Sequence, residues 1–252
     1  MQEGKRHESK NLPECDEMTD LSKRVVMISG AAGNLGIATA QAFSDDGSSL
    51  VLLDRAENRL QGIYKESADH LLLGSVDLTD PETVDRATDA ALRRYDRIDV
   101  LVHAMGGFRY GTTVENTSLE DWDFMFDLNT RSSFIICKAV LPHMIRRGRG
   151  AIVLVGARPG IKGIAKGAAY SASKSAVLRL TESISAEHKN AGIRINAILP
   201  GTIDTPQNRE QNSEGNFEKW VTPEALARVI LFLGSDASGP IHGAQIPAYG
   251  TG

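Results

Sequence analysis

The chain has 252 residues, of which 41% are hydrophobic and 24% charged, a composition typical of a soluble α/β domain with a substantial core. Its net charge of −4 argues against a nucleic-acid partner. No apolar run reaches the ~20 residues that span a membrane, and the polar N-terminus carries no secretory signal. The cysteines, Cys15 and Cys137, and six scattered histidines fit no metal-ligand spacing. We expect a cytoplasmic protein that binds no nucleic acid, membrane or metal.

Apolar runs and helical patterns alternate along the chain after a polar start. Residues 1–20 are charged and lack periodicity, which predicts a disordered tail before a single domain over residues 21–252. We predict strands at residues 25–29, 50–53, 71–75, 100–103, 151–155 and 194–199. Helical patterns cover residues 35–44, 81–95, 119–147 in two pieces, 168–189 and 223–234. This alternation predicts a doubly wound α/β fold, with a mostly parallel sheet and helices on both faces.

A glycine-rich segment with Gly30, Gly33 and Gly36 follows the first predicted strand and opens the first helix. Glycines permit a tight turn there and let backbone N–H groups approach a pyrophosphate at the helix N-terminus. A purely structural turn would carry the same glycines, so the loop is informative mainly through its place between strand and helix. We expect Gly30, Asn34, Leu35 and Gly36 to contact a bound dinucleotide.

Asp54 follows the second predicted strand, 18 residues after Gly36. A carboxylate at this place can accept hydrogen bonds from the adenosine ribose hydroxyls and would repel a 2′-phosphate, which favours NAD over NADP. Arg55 comes next, and its guanidinium could receive that phosphate instead, so NADP remains open. An alternative interpretation of Asp54 is a polar strand end without a ligand.

Tyr170 and Lys174 are four residues apart in a helical pattern and therefore share one helix face. An ammonium close to a phenol favours the phenolate, so we expect Lys174 to lower the pKa of Tyr170. Tyr170 could then exchange a proton with a substrate at neutral pH. The same spacing also arises by chance, and its meaning depends on the rest of the chain.

Together these residues resemble the short-chain dehydrogenase/reductase family, from about residue 21 to residue 250. The resemblance implies a Rossmann fold with a seven-stranded sheet, whose last strand lies near residues 243–249. Asp77 and Leu78 look like the family's adenine contact, and residues 99–106 look like its Asn-Asn-Ala-Gly segment. The implied cofactor contacts from these segments and from residues 194–205 are Asp77, Leu78, Ala104, Gly106, Pro200, Gly201, Ile203 and Thr205.

The resemblance also implies roles for three catalytic residues. Tyr170 would exchange a proton with the substrate oxygen, Lys174 would hold the nicotinamide ribose, and Asn129 would position a water that links Lys174 to solvent. An equally open interpretation makes Asn129 a helix-kink residue. The family further implies a homotetramer, or a homodimer, built from the helices at residues 119–147 and 168–189 and the last strand. Residues 206–220 look like a short, mobile substrate lid anchored by Phe217 and Trp220.

Three residues depart from the family pattern. The family's catalytic serine falls 13 residues before the tyrosine, where this chain has Ala157. Loss of one donor to an oxyanion costs ~10²–10³ in rate, so ordinary ketones would react slowly. Dihydropteridine reductases resemble this chain in having Gly-Ala there. Asn34 takes the place of a glycine, and because asparagine tolerates a left-handed backbone we expect the loop still to bind phosphate. His103 replaces an asparagine, and we expect a satisfied core or cofactor-packing residue.

Phe108 and Tyr110 lie just after the fourth predicted strand, at the sheet edge where doubly wound folds bind ligands. They could stack on a planar substrate or only pack a loop. Three functions are compatible with the sequence: an NAD(H)-dependent oxidoreductase of a small carbonyl or alcohol, a dihydropteridine-reductase-like enzyme, or a non-catalytic dinucleotide-binding redox sensor. The intact Tyr170, Lys174 and Asn129 favour an enzyme.

Overall fold

The structure is a computed structural model that describes Leu21 and residues 23–251. The predicted disordered tail, residues 1–20, therefore lies outside the described residues. The strands are β1 (Val25–Ser29), β2 (Ser49–Leu53), β3 (His70–Leu73), β4 (Val100–His103), β5 (Gly150–Val155), β6 (Ile193–Pro200) and β7 (Gln245–Ala248). The helices are α1 (Asn34–Asp45), α2 (Glu57–Ile63), α3 (Pro81–Tyr95), α4 (Leu119–Met125), α5 (Ser132–Arg147), α6 (Ala168–His188), α7 (Pro206–Gln211) and α8 (Pro223–Gly234).

The seven strands form one parallel sheet in the order β3-β2-β1-β4-β5-β6-β7. This order confirms the predicted Rossmann fold. The chain leaves β1 toward β2 on one side and later returns to β4 on the other side. A crevice opens between the carboxyl ends of β1 and β4, which is where open α/β sheets bind ligands.

Apolar side chains alternate between the two faces of the central strands, and each face is covered by helices. Met27 of β1 belongs to the core under α3, α5 and α6, while Ile28 belongs to the core under α1 and α8. Both side chains are fully buried. Strands buried on both faces are continuous apolar runs, which explains why β1 and β4 were predicted with their observed bounds. Within the described residues, none of the helices is long and apolar enough to cross a membrane.

Other predicted bounds differ from the structure for identifiable reasons. The third strand was predicted to residue 75 but ends at Leu73, because Ser75 has a left-handed φ of 55° that does not continue a strand. The helical stretch at residues 119–147 is in two pieces as predicted, α4 and α5, and a π-helical turn, Phe126–Arg131, lies between them. The predicted lid contains the short helix α7, and Phe217 packs edge-on against Trp220 at 4.9 Å.

Candidate active site

Helix α6 carries Tyr170 and Lys174 on one face, at the carboxyl end of β5. Lys174 is buried, with 4% of its surface exposed. Its Nζ donates a hydrogen bond of 2.8 Å to the backbone carbonyl of Val155, the last residue of β5. The lysine therefore ties helix α6 to the strand end beside the crevice.

Asn129 lies in the π-helical turn, and its side chain is buried. Its Oδ1 accepts a hydrogen bond from the Gly107 N–H at 3.0 Å, and its Nδ2 donates to the Gly107 carbonyl at 3.2 Å. Nδ2 also lies 3.1 Å from the Ser173 hydroxyl, between Tyr170 and Lys174 on α6. These contacts support the helix-kink interpretation, because Asn129 lies in the π-helical turn that interrupts the helix and its side chain holds the loop after β4. The water-positioning role remains a prediction.

Gly106 is the point where the lysine and the asparagine meet. A Cβ added at Gly106 would lie 3.0 Å from Lys174 Nζ and 3.1 Å from Asn129 Oδ1. Any side chain at this position would therefore displace one of these two polar groups. The structure thus brings together Gly106, Lys174 and Asn129, which the sequence predicted to act in one site.

The pKa values at this site differ from the sequence expectation. Burial raises the pKa of Tyr170 to about 12, and burial lowers the pKa of Lys174 to about 8. The expectation that Lys174 lowers the pKa of Tyr170 is therefore wrong for the described structure. The physical reason is that desolvation disfavours both charged forms, while the Lys174 ammonium bonds to the Val155 carbonyl.

An open cleft of about 530 Å³ lies beside Tyr170. Its wall includes Met125 of α4, the start of α6 and Gln211 of α7. The Phe108 ring meets the Tyr170 ring edge-on at 4.6 Å and stacks on Tyr110 at 4.7 Å. Phe108 is 46% and Tyr110 is 64% exposed, so these rings form an aromatic surface that is open to a ligand.

The glycine-rich loop is tightly folded between β1 and α1. Gly30 has a φ of 71°, and a Cβ there would lie 2.9 Å from the Met105 backbone nitrogen. A Cβ at Gly36 would lie 2.1 Å from the Gly30 carbonyl oxygen. Asn34 is the first residue of α1 and Gly33 is its N-cap, so the chain does not use the left-handed backbone that Asn34 would tolerate. The Asn34 side chain instead donates to Gln207 of α7 at 2.8 Å.

Asp54 uses both carboxylate oxygens to hold the backbone at the end of β2. Oδ2 accepts from the Ala32 N–H at 3.0 Å, and Oδ1 accepts from the Ala56 N–H at 2.9 Å. Arg55 next to it is exposed. Sequence reasoning missed Tyr64, whose hydroxyl donates to the Ala31 carbonyl in the glycine-rich loop at 2.9 Å. No motif pointed to Tyr64, because this contact joins residues 33 positions apart.

The remaining predicted cofactor residues line the same edge of the sheet, and several have structural contacts of their own. Asp77 accepts hydrogen bonds from the Thr79 hydroxyl and N–H, which hold the pKa of its carboxyl below the ordinary value. Thr205 is the N-cap of α7 and accepts from the Asn208 N–H at 3.2 Å. A Cβ at Gly201 would lie 2.7 Å from the Tyr249 carbonyl oxygen. The others are Leu78 beyond β3, Ala104 after β4, Pro200 ending β6, and Ile203, which bridges to Val221.

His103 is buried, as the sequence predicted, and Cys137 is buried as well. Ser132 donates to the Leu128 carbonyl at 2.6 Å, so its oxygen accepts from His103 Nε2 at 3.1 Å. Ser29 then donates to His103 Nδ1 at 2.7 Å. Burial lowers the pKa of His103 to about 3, so the ring is neutral at pH 7. Because both ring nitrogens have hydrogen-bond partners, His103 is a satisfied core residue. Burial raises the pKa of the Cys137 thiol to about 12.

These features fit a dinucleotide better than a metal ion. The loop leaves no room for side chains at Gly30 and Gly36, so the backbone at the start of α1 stays open to a phosphate. Asp54 lies at the strand end where a ribose would be recognised. Among the described side chains, no group of three His, Cys, Asp or Glu is placed to hold a metal.

The comparison with known families shows which family the chain belongs to. The family model described as short chain dehydrogenase matches residues 24–216, most of the chain. The chain belongs to the short-chain dehydrogenase/reductase family. It is therefore an enzyme of the oxidoreductase class, and its parallel sheet is the Rossmann sheet of that family.

Named relatives cover nearly the whole short-chain dehydrogenase. The 3-oxoacyl-acyl-carrier-protein reductase FabG of Thermotoga maritima is 33% identical over 242 residues, covering 90% of this chain and 96% of the relative. Dehydrogenase/reductase SDR family member 6 of Danio rerio is 32% identical over 244 residues, covering 91% and 97%. A solved putative gluconate dehydrogenase from Agrobacterium tumefaciens has a TM-score of 0.85 at 26% identity, covering 93% of this chain and 97% of that chain.

Proposed function

We propose that this short-chain dehydrogenase is an NAD(H)-dependent reductase of a small carbonyl compound, with Tyr170 as the proton donor. When bound, the dinucleotide supplies the hydride that adds to the carbonyl carbon. Tyr170 gives its phenolic proton to the substrate oxygen, and the product is the alcohol. Lys174 holds the ribose next to the nicotinamide, and the phenolate of Tyr170 is reprotonated from solvent.

The observation that carries this proposal is that Lys174 and Asn129 meet at Gly106, one helical turn from Tyr170. A Cβ added at Gly106 would lie 3.0 Å from Lys174 Nζ and 3.1 Å from Asn129 Oδ1. Phe108 and Ala169 line the open cleft, and the Phe108 ring meets the Tyr170 ring edge-on at 4.6 Å. The raised pKa of Tyr170, about 12, keeps its phenol protonated at neutral pH. A protonated phenol can donate to a substrate oxygen, which is the role proposed for Tyr170.

NAD is the preferred cofactor in this proposal, and NADP is the alternative. Asp54 presents a carboxylate that the backbone of Ala32 and Ala56 holds in place. A fixed negative charge at this position accepts from ribose hydroxyls and repels a 2′-phosphate. The exposed Arg55 beside it is the group that would favour NADP.

A dihydropteridine-reductase-like activity is the second candidate, and two observations favour it. Ala157 is 4% exposed and supplies no hydroxyl to a developing oxyanion. The Phe108–Tyr110 stack next to Tyr170 offers a flat aromatic surface to a planar heterocycle. A quinonoid dihydropterin is reduced without forming an alkoxide, so it does not need the missing donor.

We also propose a homotetramer, or a homodimer, assembled through α4 and α5. Large apolar side chains are exposed on these helices: Leu119 is 81%, Phe134 51% and Trp122 39% exposed. Exposed apolar patches on soluble proteins commonly mark interfaces. Sedimentation should therefore detect an oligomer at micromolar concentration, and a monomer would contradict this proposal.

Steady-state consumption of NADH and NADPH tests the proposed function. Wild type and Tyr170→Phe are assayed against small ketones, a quinone and a quinonoid dihydropterin. Turnover of ketones that collapses in the variant supports the carbonyl reductase, and turnover of the pterin alone supports the second candidate. If wild type binds NADH tightly but neither protein consumes it with any compound, the enzyme proposal loses to the redox sensor.

A further inference from the structure

One peptide group of the glycine-rich loop is held from both sides by side chains. The carbonyl of Ala31 accepts a hydrogen bond from the Tyr64 hydroxyl at 2.9 Å. The N–H of Ala32 donates to Asp54 Oδ2 at 3.0 Å. This carbonyl and this N–H belong to the same peptide group, which joins Ala31 to Ala32. We call the arrangement of Tyr64, this peptide and Asp54 the loop clamp.

The peptide at the centre of the loop clamp is buried, while Tyr64 and Asp54 are half-buried. Ala31 is fully buried, and Ala32 is 2% exposed. Burial and the charge of Asp54 raise the pKa of Tyr64 to about 12, so its hydroxyl remains a donor throughout the neutral range. A buried carbonyl that loses its donor is strongly disfavoured, which makes the orientation of this peptide well defined.

The clamp also determines the orientation of the Asp54 carboxylate. The Ala32 and Ala56 N–H groups bond to different oxygens of Asp54, at 3.0 and 2.9 Å, so the carboxylate plane is fixed by two backbone donors. A carboxylate oxygen can accept more than one hydrogen bond, which leaves acceptor capacity for ribose hydroxyls. A carboxylate that is already oriented binds such hydroxyls with less loss of freedom than a rotating one.

We propose that Tyr64 is a positioning residue for cofactor selection, acting through the Ala31–Ala32 peptide to orient Asp54 toward the adenosine ribose. This inference rests on the proposed NAD(H) dependence. Tyr64 need not touch the cofactor itself, and its removal should affect NADH more than NADPH. The reason is that NADH offers Asp54 both free hydroxyls of the adenosine ribose, whereas NADPH carries a phosphate on the 2′-oxygen.

The test is the dissociation constant of each dinucleotide, measured by fluorescence titration without substrate. Tyr64→Phe should weaken NADH binding by about fivefold, equivalent to roughly one hydrogen bond from the ribose to a misoriented Asp54, and should weaken NADPH binding less. Tyr95→Phe is the matched control, because the Tyr95 hydroxyl donates to the Ala68 carbonyl at 3.3 Å in another part of the protein. Equal weakening of both dinucleotides by Tyr64→Phe would overturn the inference.

A double-mutant cycle separates positioning from a general structural effect. In an Asp54→Ala background, Tyr64→Phe should add little further loss of NADH affinity, because the oriented carboxylate is already gone. A full additional fivefold loss would contradict the clamp. Hydrogen exchange of the Ala32 amide in the cofactor-free protein gives a second readout. Exchange should accelerate in Tyr64→Phe but not in Tyr95→Phe, and unchanged exchange in Tyr64→Phe would overturn the clamp. This readout does not depend on cofactor binding. Failure of wild type to bind either dinucleotide would instead contradict the proposed function.

Discussion

The buried Lys174 ammonium should make the stability of the cofactor-free protein depend on pH in a defined way. Burial lowers the pKa of Lys174 from 10.5 to about 8. Each pKa unit corresponds to about 1.4 kcal/mol, so the charged side chain costs the folded state about 3 kcal/mol at neutral pH. Because the folded pKa lies below the unfolded one, this cost is fully present below pH ~8 and disappears as the pH rises to ~10.5.

Lys174→Met removes the titrating amine and keeps a long side chain in the same space. Between pH 7 and pH 10 the free energy of unfolding of wild type should rise relative to this variant by about 2 to 3 kcal/mol. The lost hydrogen bond to Val155 adds an offset that does not vary with pH. Urea unfolding followed by tryptophan fluorescence measures the difference, and Lys138→Met, which replaces an exposed lysine of α5, is the matched control. A difference that does not change with pH would refute the desolvation argument.

Three further predictions follow from single groups. Tyr170→Phe should lower turnover by about 10²–10⁴-fold and leave dinucleotide affinity within about twofold, because only proton transfer is lost; equal loss of binding would contradict this role. Gly36→Ala should abolish dinucleotide binding in a titration, because its Cβ would lie 2.1 Å from the Gly30 carbonyl oxygen, whereas Gly62→Ala has nothing within 4 Å and should bind normally. In a Cys15→Ser background, Cys137 should react with a thiol reagent only after unfolding, since burial raises its pKa to about 12; rapid labelling of this variant in its native state would contradict the burial of Cys137.

Much of the fold was predictable because a parallel sheet gives a strong sequence signal. Strands such as β1 and β4 are buried on both faces, and their continuous apolar runs give their bounds directly. The helix α2 gave no such signal, because only Leu60 of its seven residues is buried. The end of β3 depends on the left-handed backbone of Ser75, a conformation that serine adopts rarely and that its sequence does not announce.

The candidate site was predictable where helical spacing or chain order determines it. Tyr170 and Lys174 share a face because they are one helical turn apart. The first helix, by contrast, begins at Asn34, one residue earlier than predicted. The direction of the Tyr170 pKa shift also escaped prediction, because burial and the choice of Val155 as the partner of Lys174 are tertiary features.

Transfer of deuterium from labelled NADH to a substrate carbon, followed by mass spectrometry of the product, tests the central claim most directly. We predict that wild type delivers one deuterium per molecule of product with at least one compound of the carbonyl, quinone and dihydropterin panel. Tyr170→Phe should bind the labelled NADH with similar affinity and deliver about 10²–10⁴-fold less. Equal transfer by both proteins would contradict the assignment of Tyr170 as the proton donor, and no transfer by wild type on any compound would contradict the reductase itself.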